Sequence, residues 1–313
     1  MPSSHAPAPG LTGLWIDALM PLAPDHKVDL PHLVSHLRTL HAKGARHFVL
    51  FGLAGEGPSF SGREKLEAVR HLIGQGFEAK DLALGVSYAA LPEAVALIRS
   101  AREAGVRHFL VTPPLHVPHP QHAGMARYVI DLLKALAPHD VQVHLHLLHQ
   151  GSAGDLADAV VADILREVPG GLAGLMDQGG NAPRTQDRLR NFGAELSVGL
   201  AHEGHWCLVH TSGLVSALAN VVPQVMAQLM ASAQPGQGTK IVGLKERRPD
   251  DRLQELLRVL GELPTVPALK LLLSVMHRDA HWLRVRAPYA PLDPPVQEGL
   301  MKAFKTFNLQ PNE

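Results

Sequence analysis

Short apolar, β-branched runs alternate along this chain with longer stretches in which apolar residues recur every three or four positions. That is the pattern of buried strands separated by amphipathic helices. Eight runs read as strands: Leu14 to Met20, His47 to Gly52, Leu82 to Ser87, His108 to Thr112, Val141 to Leu148, Leu172 to Met176, Leu196 to Leu200 and Leu214 to Leu218. Helical periodicity predicts helices between them, at Leu30 to Lys43, Arg63 to Gln75, Pro92 to Ala104, His122 to Leu136 and Ala157 to Glu167. Regular βα alternation predicts a parallel sheet, and eight units favour a closed (β/α)8 TIM barrel over an open sheet.

An internal echo supports the count. The segment 42–50, AKGARHFVL, returns at 103–111 as EAGVRHFLV, with a glycine ending a helix and a buried strand following within three residues. Beyond the eighth strand the chain continues with helical periodicity at Arg252 to Leu260 and Pro267 to His277, after a loop at Gln234 to Gly238. The expected organisation is a loose N-terminal arm over 1–10, a barrel over 11–223 and a C-terminal helical extension over 224–313 packed on it.

Composition narrows the function classes. The 313 residues are 46% hydrophobic, enough for a large core, and 29 basic side chains balance 29 acidic ones, so nucleic acid and anionic membranes are poor partners. The single cysteine, Cys207, excludes an intrachain disulfide and agrees with a reducing compartment. The first residues lack the charged start and apolar core of a secretory signal, and no apolar run approaches the roughly 20 residues that span a bilayer. A cytoplasmic location is expected. Histidine is the compositional oddity, with 20 copies against three Trp and three Tyr; most are expected to be scattered surface side chains.

In barrels of this kind the reacting groups sit at the C-terminal strand ends and in the loops that follow. Polar groups expected there are Glu56, Tyr88, His116, His149, Asp177, Gln178, His202, Glu203 and Asn220. His144 and His146 alternate with Leu147, which suggests that they point toward the helix layer. Two or three mouth histidines with a carboxylate have the chemistry to hold a divalent metal and stabilise an enolate, but no spacing motif marks such a set, so neither a metal nor another cofactor is assigned.

The motifs at these strand ends resemble, in order and over nearly the whole length, the family of dihydrodipicolinate synthase, N-acetylneuraminate lyase and the 2-keto-3-deoxy sugar acid aldolases. The resemblance is carried by Ala18-Leu19-Met20-Pro21, Gly52-Leu53-Ala54-Gly55-Glu56-Gly57, Phe60-Ser61-Gly62-Arg63-Glu64, Pro113-Pro114, Gly174-Leu175 before Asp177, Gly213 with Ser216, Asn220-Val221-Val222-Pro223, and Arg286 with Pro288. It implies a class I 2-keto acid lyase in a homodimer or homotetramer, using a Schiff-base lysine at the end of the sixth strand. Met176 stands at that position, and methionine has no amine.

The family's relay tyrosine falls on Leu147, its strand-two Thr-Thr on Leu53 and Ala54, the tyrosine after Pro113-Pro114 on Leu115, and its carboxylate-binding arginine near Ser152. These leucines and Met176 are expected to converge at the C-terminal end of the barrel, in a pocket turned apolar. The reading is a divergent, lyase-like family member that binds a ligand or partner without Schiff-base catalysis. The alternatives are a lyase with a metal- or acid/base-assisted mechanism, and a Schiff-base enzyme acting through another lysine, for which Lys245 in Gly243-Leu244-Lys245-Glu246 is the nearest mimic of the motif.

Overall fold

The computed structural model describes residues 10–114, 117, 121–137, 139–148, 155–206, 209, 211–231 and 251–307. Leu115, His116, His149, Ser152, Cys207, the loop at Gln234 to Gly238, Lys245 and all of the expected N-terminal arm except Gly10 lie outside the described residues.

Eight parallel strands close into a barrel in sequence order: β1 (Gly13–Asp17), β2 (His47–Leu50), β3 (Leu82–Val86), β4 (His108–Val111), β5 (Gln142–Leu147), β6 (Leu172–Asp177), β7 (Ser197–Leu200) and β8 (Gly213–Ser216), with β8 pairing back on β1. The intervening helices are α1 (Leu30–Ala42), α2 (Gly62–Gly74), α3 (Leu91–Glu103), α4 (His122–Leu136), α5 (Asp158–Glu167), α6 (Ala182–Phe192) and the short α7 (Glu203–Trp206). After β8 come α8 (Pro223–Ala231), α9 (Asp251–Gly261), α10 (Thr265–His277) and α11 (Pro294–Phe307). No described helix is long and apolar enough to cross a membrane.

Local chemistry sets the helix ends. Asp29 caps α1 by accepting from His32 N at 3.1 Å, and Ser61 with Glu64 forms a reciprocal capping box at α2. The internal echo is visible in the backbone: Gly44 and Gly105 follow α1 and α3 at φ +95° and +102°, a left-handed region that glycine enters without steric cost, and β2 and β4 begin three residues later.

Buried apolar residues fall into two groups. The larger lies between strands and helices and contains Leu145, Leu147 and Leu175; the smaller fills the lumen and contains Leu11, Trp15, Val49, Ala83, Leu110, Met176 and Val215. Four histidines belong to the lumen side as well. His47 stacks on Trp15 at 4.7 Å, His108 meets Trp15 at 5.4 Å and His144 at 5.7 Å, and these rings fill the half of the lumen nearest the strand N-termini. His146 pairs in register with Met176, so it shares the Met176 face. The expectation that His144 and His146 face the helices is therefore corrected: Leu145 and Leu147 take that face, and the alternation of the strand sends both imidazoles inward. Part of the histidine excess is thus internal.

Candidate functional site

A cavity of about 410 Å³ lies at the C-terminal ends of the strands. Its floor is Asp17 at the end of β1, Leu53 and Ala54 after β2, His146 and Leu148 at the end of β5, Gln178 after β6, Ala201 to Glu203 after β7, and Val215, Ala217 and Leu218 at β8. Its roof comes from the extension: Leu257, Leu260 and Gly261 of α9, Thr265, Val266 and Leu269 of α10, and Tyr289. The extension therefore makes one wall of the site, and that wall is mostly apolar.

Asp17 is the group that the sequence reading missed. Its carboxyl is buried; Oδ2 accepts from Ala54 N at 2.9 Å, while Oδ1 has no hydrogen-bond partner among the described residues. Burial raises its pKa to about 7, against the backbone hydrogen bonds that lower it and with a further push from the Glu203 carboxylate. Gly52 makes room for it, since a Cβ there would collide with the Asp17 carboxylate. The signal in the sequence was a charged residue inside an otherwise buried strand, Gly13-Leu14-Trp15-Ile16-Asp17.

His146 is the second buried polar group. Neither ring nitrogen has a hydrogen-bond partner among the described residues, and burial lowers its pKa to about 4, so the imidazole is neutral near pH 7. The Oε1 of Gln178 beside it is also buried and unpartnered. Glu203 is fixed through Oε1, which accepts from Ser216 Oγ at 2.8 Å and Leu218 N at 3.0 Å.

Of the other expected pocket residues, His202, Leu53 and Ala54 line the cavity. Four are placed elsewhere, each with structural partners. Glu56, fully buried and left-handed at φ +56°, pairs with Lys270 of α10 and accepts from Arg286 N at 2.6 Å, so it ties the β2 loop to the extension. Tyr88 donates through Oη to Phe60 O at 3.1 Å. Asp177 points into the helix layer, where it accepts from Thr185 Oγ1 and pairs with Arg188, both at 2.8 Å. Asn220 is spent on backbone groups of β1 and its flank and on His36.

Met176 is fully buried in the lumen against Gly199, whose Cβ would come within 2.5 Å of Met176 Cε, and it does not reach the cavity wall. Leu147 corrects a second expectation. It faces the helices, pairing with Asp177, whereas the lumen-facing residue beside Met176 is His146. A single step along a strand exchanges its faces, so His146 takes the lumen side and Leu147 the helix side.

Two lysines are buried away from the cavity. Lys65 donates to Gly85 O at 3.0 Å, and burial lowers its pKa to about 7; Lys270 pairs with Glu56 and donates to Arg284 O at 2.8 Å. Among the described residues, the one group of three histidine or carboxylate ligand atoms within 4.8 Å of each other is Asp29, His32 and His281, at the seam between α1 and the extension rather than in the cavity.

These features can be set beside known proteins. Residues 11–307 match the model of the dihydrodipicolinate synthetase family. An uncharacterized DapA-like lyase from Chloroflexus aurantiacus is 27% identical over 286 residues, covering 89% of this chain and 90% of that one. The 4-hydroxy-tetrahydrodipicolinate synthase of Azoarcus sp. is 26% identical over 239 residues, covering 74% and 78%. The crystal structure of dihydrodipicolinate synthase from Agrobacterium tumefaciens superimposes with a TM-score of 0.83 at 22% identity, covering 95% of this chain and 99% of that one, a likeness of fold. A barrel closed in sequence order, roofed by a helical extension and matched by one family model from Leu11 to Phe307, makes this chain a member of the dihydrodipicolinate synthetase family.

Proposed function

We propose that this protein binds a small molecule in the barrel-mouth cavity without forming a Schiff base, with Met176 standing where the family places its lysine. The observation that carries the reading is the register pair His146 and Met176, which puts a neutral imidazole and a thioether at two adjacent lumen positions, the second of them the one where the resemblance sets its lysine. A thioether cannot condense with a carbonyl. No lysine lines the cavity among the described residues. Reduction with borohydride in the presence of pyruvate, followed by intact-mass and peptide analysis, tests it. No adduct is expected; a reduced pyruvate adduct would overturn the reading, and its position would name the lysine, whether Lys65, Lys270 or Lys245.

A second reading rests on Asp17 and His146. A buried carboxyl with a pKa of about 7 and a neutral imidazole with no hydrogen-bond partner, on one cavity wall, have the properties of a general acid and base. A lyase working by proton transfer alone would be consistent with both. Deuterium exchange from heavy water into the α-carbon of a small ketone, lost in Asp17→Asn, would support it, and no exchange across a panel of ketones would count against it.

A further inference from the structure

The cavity has an imbalance of hydrogen-bonding chemistry that says what kind of molecule completes it. Three buried side chains on its wall have atoms without partners among the described residues: Asp17 Oδ1, Gln178 Oε1 and both nitrogens of His146. Each has at most a few per cent exposure or an atom closed off from solvent. A carboxylate oxygen and an amide oxygen only accept, and a neutral imidazole offers one acceptor against one N–H. With Asp17 ionised, acceptors outnumber donors by three to one among these groups, and where the His146 N–H turns to Gln178 the Asp17 oxygen and the second ring nitrogen are still acceptors. A buried acceptor left unmatched is costly, so a ligand that donates to these atoms is favoured.

Charge points the same way. Asp17 and Glu203 share this cavity and are close enough for Glu203 to raise the Asp17 pKa, and no lysine or arginine lines it among the described residues. A 2-keto acid would bring a further carboxylate to two that already repel each other. Opposite this polar floor, Leu257, Leu260, Val266 and Leu269 present a hydrocarbon wall. The cavity of about 410 Å³ lies within the size range of small-ligand sites.

We infer that the physiological ligand is a cation with an apolar body, of the alkylammonium class, whose ammonium group donates to Asp17 and Gln178 while its hydrocarbon part lies against α9 and α10. The inference rests on the reading that this cavity is a ligand site without a Schiff base. It deepens that reading by fixing the sign of the ligand's charge. An ammonium group carries three donors and no acceptor, which complements the orphaned acceptors and offsets one charge of the carboxylate pair.

Three probes of one carbon skeleton test it on the full-length protein: 3-methylbutylamine, 3-methylbutanoate and 3-methylbutanol, each titrated at millimolar concentration by ligand-observed NMR and thermal shift. The amine is expected to bind at least tenfold more tightly than the alcohol, and the carboxylate more weakly than either. Asp17→Asn should reduce amine affinity tenfold or more and alcohol affinity by no more than about threefold, and Glu203→Gln should weaken the amine in the same direction. Amine affinity should also rise with pH as Asp17 ionises; Glu203, His146, His202, Gln178 and Tyr289 share its cavity, and of these His146 is already neutral above pH 6. Equal binding of amine and alcohol, preferential binding of the carboxylate, or no binding of the amine each overturns the inference. The borohydride experiment with pyruvate on the same sample separates the two proposals: an adduct there sinks the reading of a site without a Schiff base, whereas alcohol binding without charge preference sinks only the cationic ligand.

Discussion

The side-chain amide of Asn220 donates to the main-chain carbonyl of Asp17 at 2.8 Å, and its oxygen accepts from Leu19 N at 3.1 Å. One residue of the turn after β8 thus holds the backbone on both sides of the β1 terminus, where the Asp17 carboxyl enters the cavity. His36 of α1 completes the clamp by donating from Nε2 to the same Asn220 oxygen at 3.0 Å, which fixes its neutral tautomer; burial lowers its pKa to about 4. Asn220 acts on the site through position rather than by touching a ligand.

Asn220→Ala is accordingly expected to cost about 3 kcal/mol of stability, because it strands the buried Leu19 N–H, the Asp17 carbonyl and the His36 ring nitrogen together. Urea denaturation compared with wild type measures it. A loss below about 1 kcal/mol would mean that water or a neighbour replaces the clamp.

Asp17→Asn should stabilise the protein, and more so at higher pH. With a folded pKa of about 7 against an ordinary value of 3.8, the folded carboxyl keeps a proton that the unfolded chain has released between those limits. The stability that Asp17 contributes is whole below about pH 4 and is lost as pH rises through 7. Asparagine is close in shape to the protonated acid and does not ionise, so the gain of the variant should grow from near zero at pH 4 to roughly 2–4 kcal/mol at pH 8. The buried histidines run the opposite way in both proteins: His36 and His146, lowered to about 4, and His144, lowered to about 3, support the fold above pH 6.5 and weaken it as pH falls toward those values. Denaturation midpoints for wild type and variant at pH 4, 6 and 8 check both signs.

The fold was legible because its signals are periodic. All eight strand runs lie where the structure has strands, and the five helices named between them begin and end within a residue or so of α1 to α5. What periodicity cannot say is which side of a barrel strand faces in, since both faces are buried. In Val143-His144-Leu145-His146-Leu147 the resemblance puts Leu147 in the lumen and so His144 and His146 outward, and the structure reverses them. The register also shifts between Val143 and His144 at the β5–β6 pairing, which no local pattern announces. Asp17 escaped because it sits inside an apolar run taken as a strand, where a charged residue marks either an edge or a site. Glu56, Tyr88, Asp177 and Asn220 lie at or just after strand ends but outside the cavity, and whether such a group faces the mouth or ties two elements together is decided by partners elsewhere in the chain, Lys270 for Glu56 and Arg188 for Asp177.

Lys270→Met should destabilise the protein by about 3–5 kcal/mol, because it leaves the fully buried Glu56 carboxylate without its cation. The double variant with Glu56→Gln should recover part of the loss, since two neutral side chains need no charge compensation. A double-mutant cycle by chemical denaturation gives the coupling, and strict additivity of the two losses would show that the pair contributes nothing beyond its separate contacts.

Introducing an amine at Met176 is the sharpest trial of the site. Met176→Lys places an ammonium group in the lumen beside His146, one atom further along than the methionine it replaces, and burial there favours the neutral, nucleophilic form. Nucleophilicity does not supply proton transfer or a carboxylate anchor, and the described cavity offers Asp17 and Glu203 where an anionic substrate would need a cation. The single variant is therefore expected to give a borohydride-trappable adduct, and to trap the uncharged aldehyde propanal faster than pyruvate, with no steady-state turnover of either. Adding a tyrosine at Leu147 should only destabilise the protein, because that side chain packs among the helices; adding it as His146→Tyr puts the hydroxyl on the lumen face next to the new lysine. Turnover, where it emerges, should need Met176→Lys with His146→Tyr. Robust turnover of pyruvate by Met176→Lys alone would show that the rest of the family's machinery survives in this cavity, and that the site has lost one group rather than been rebuilt around Asp17.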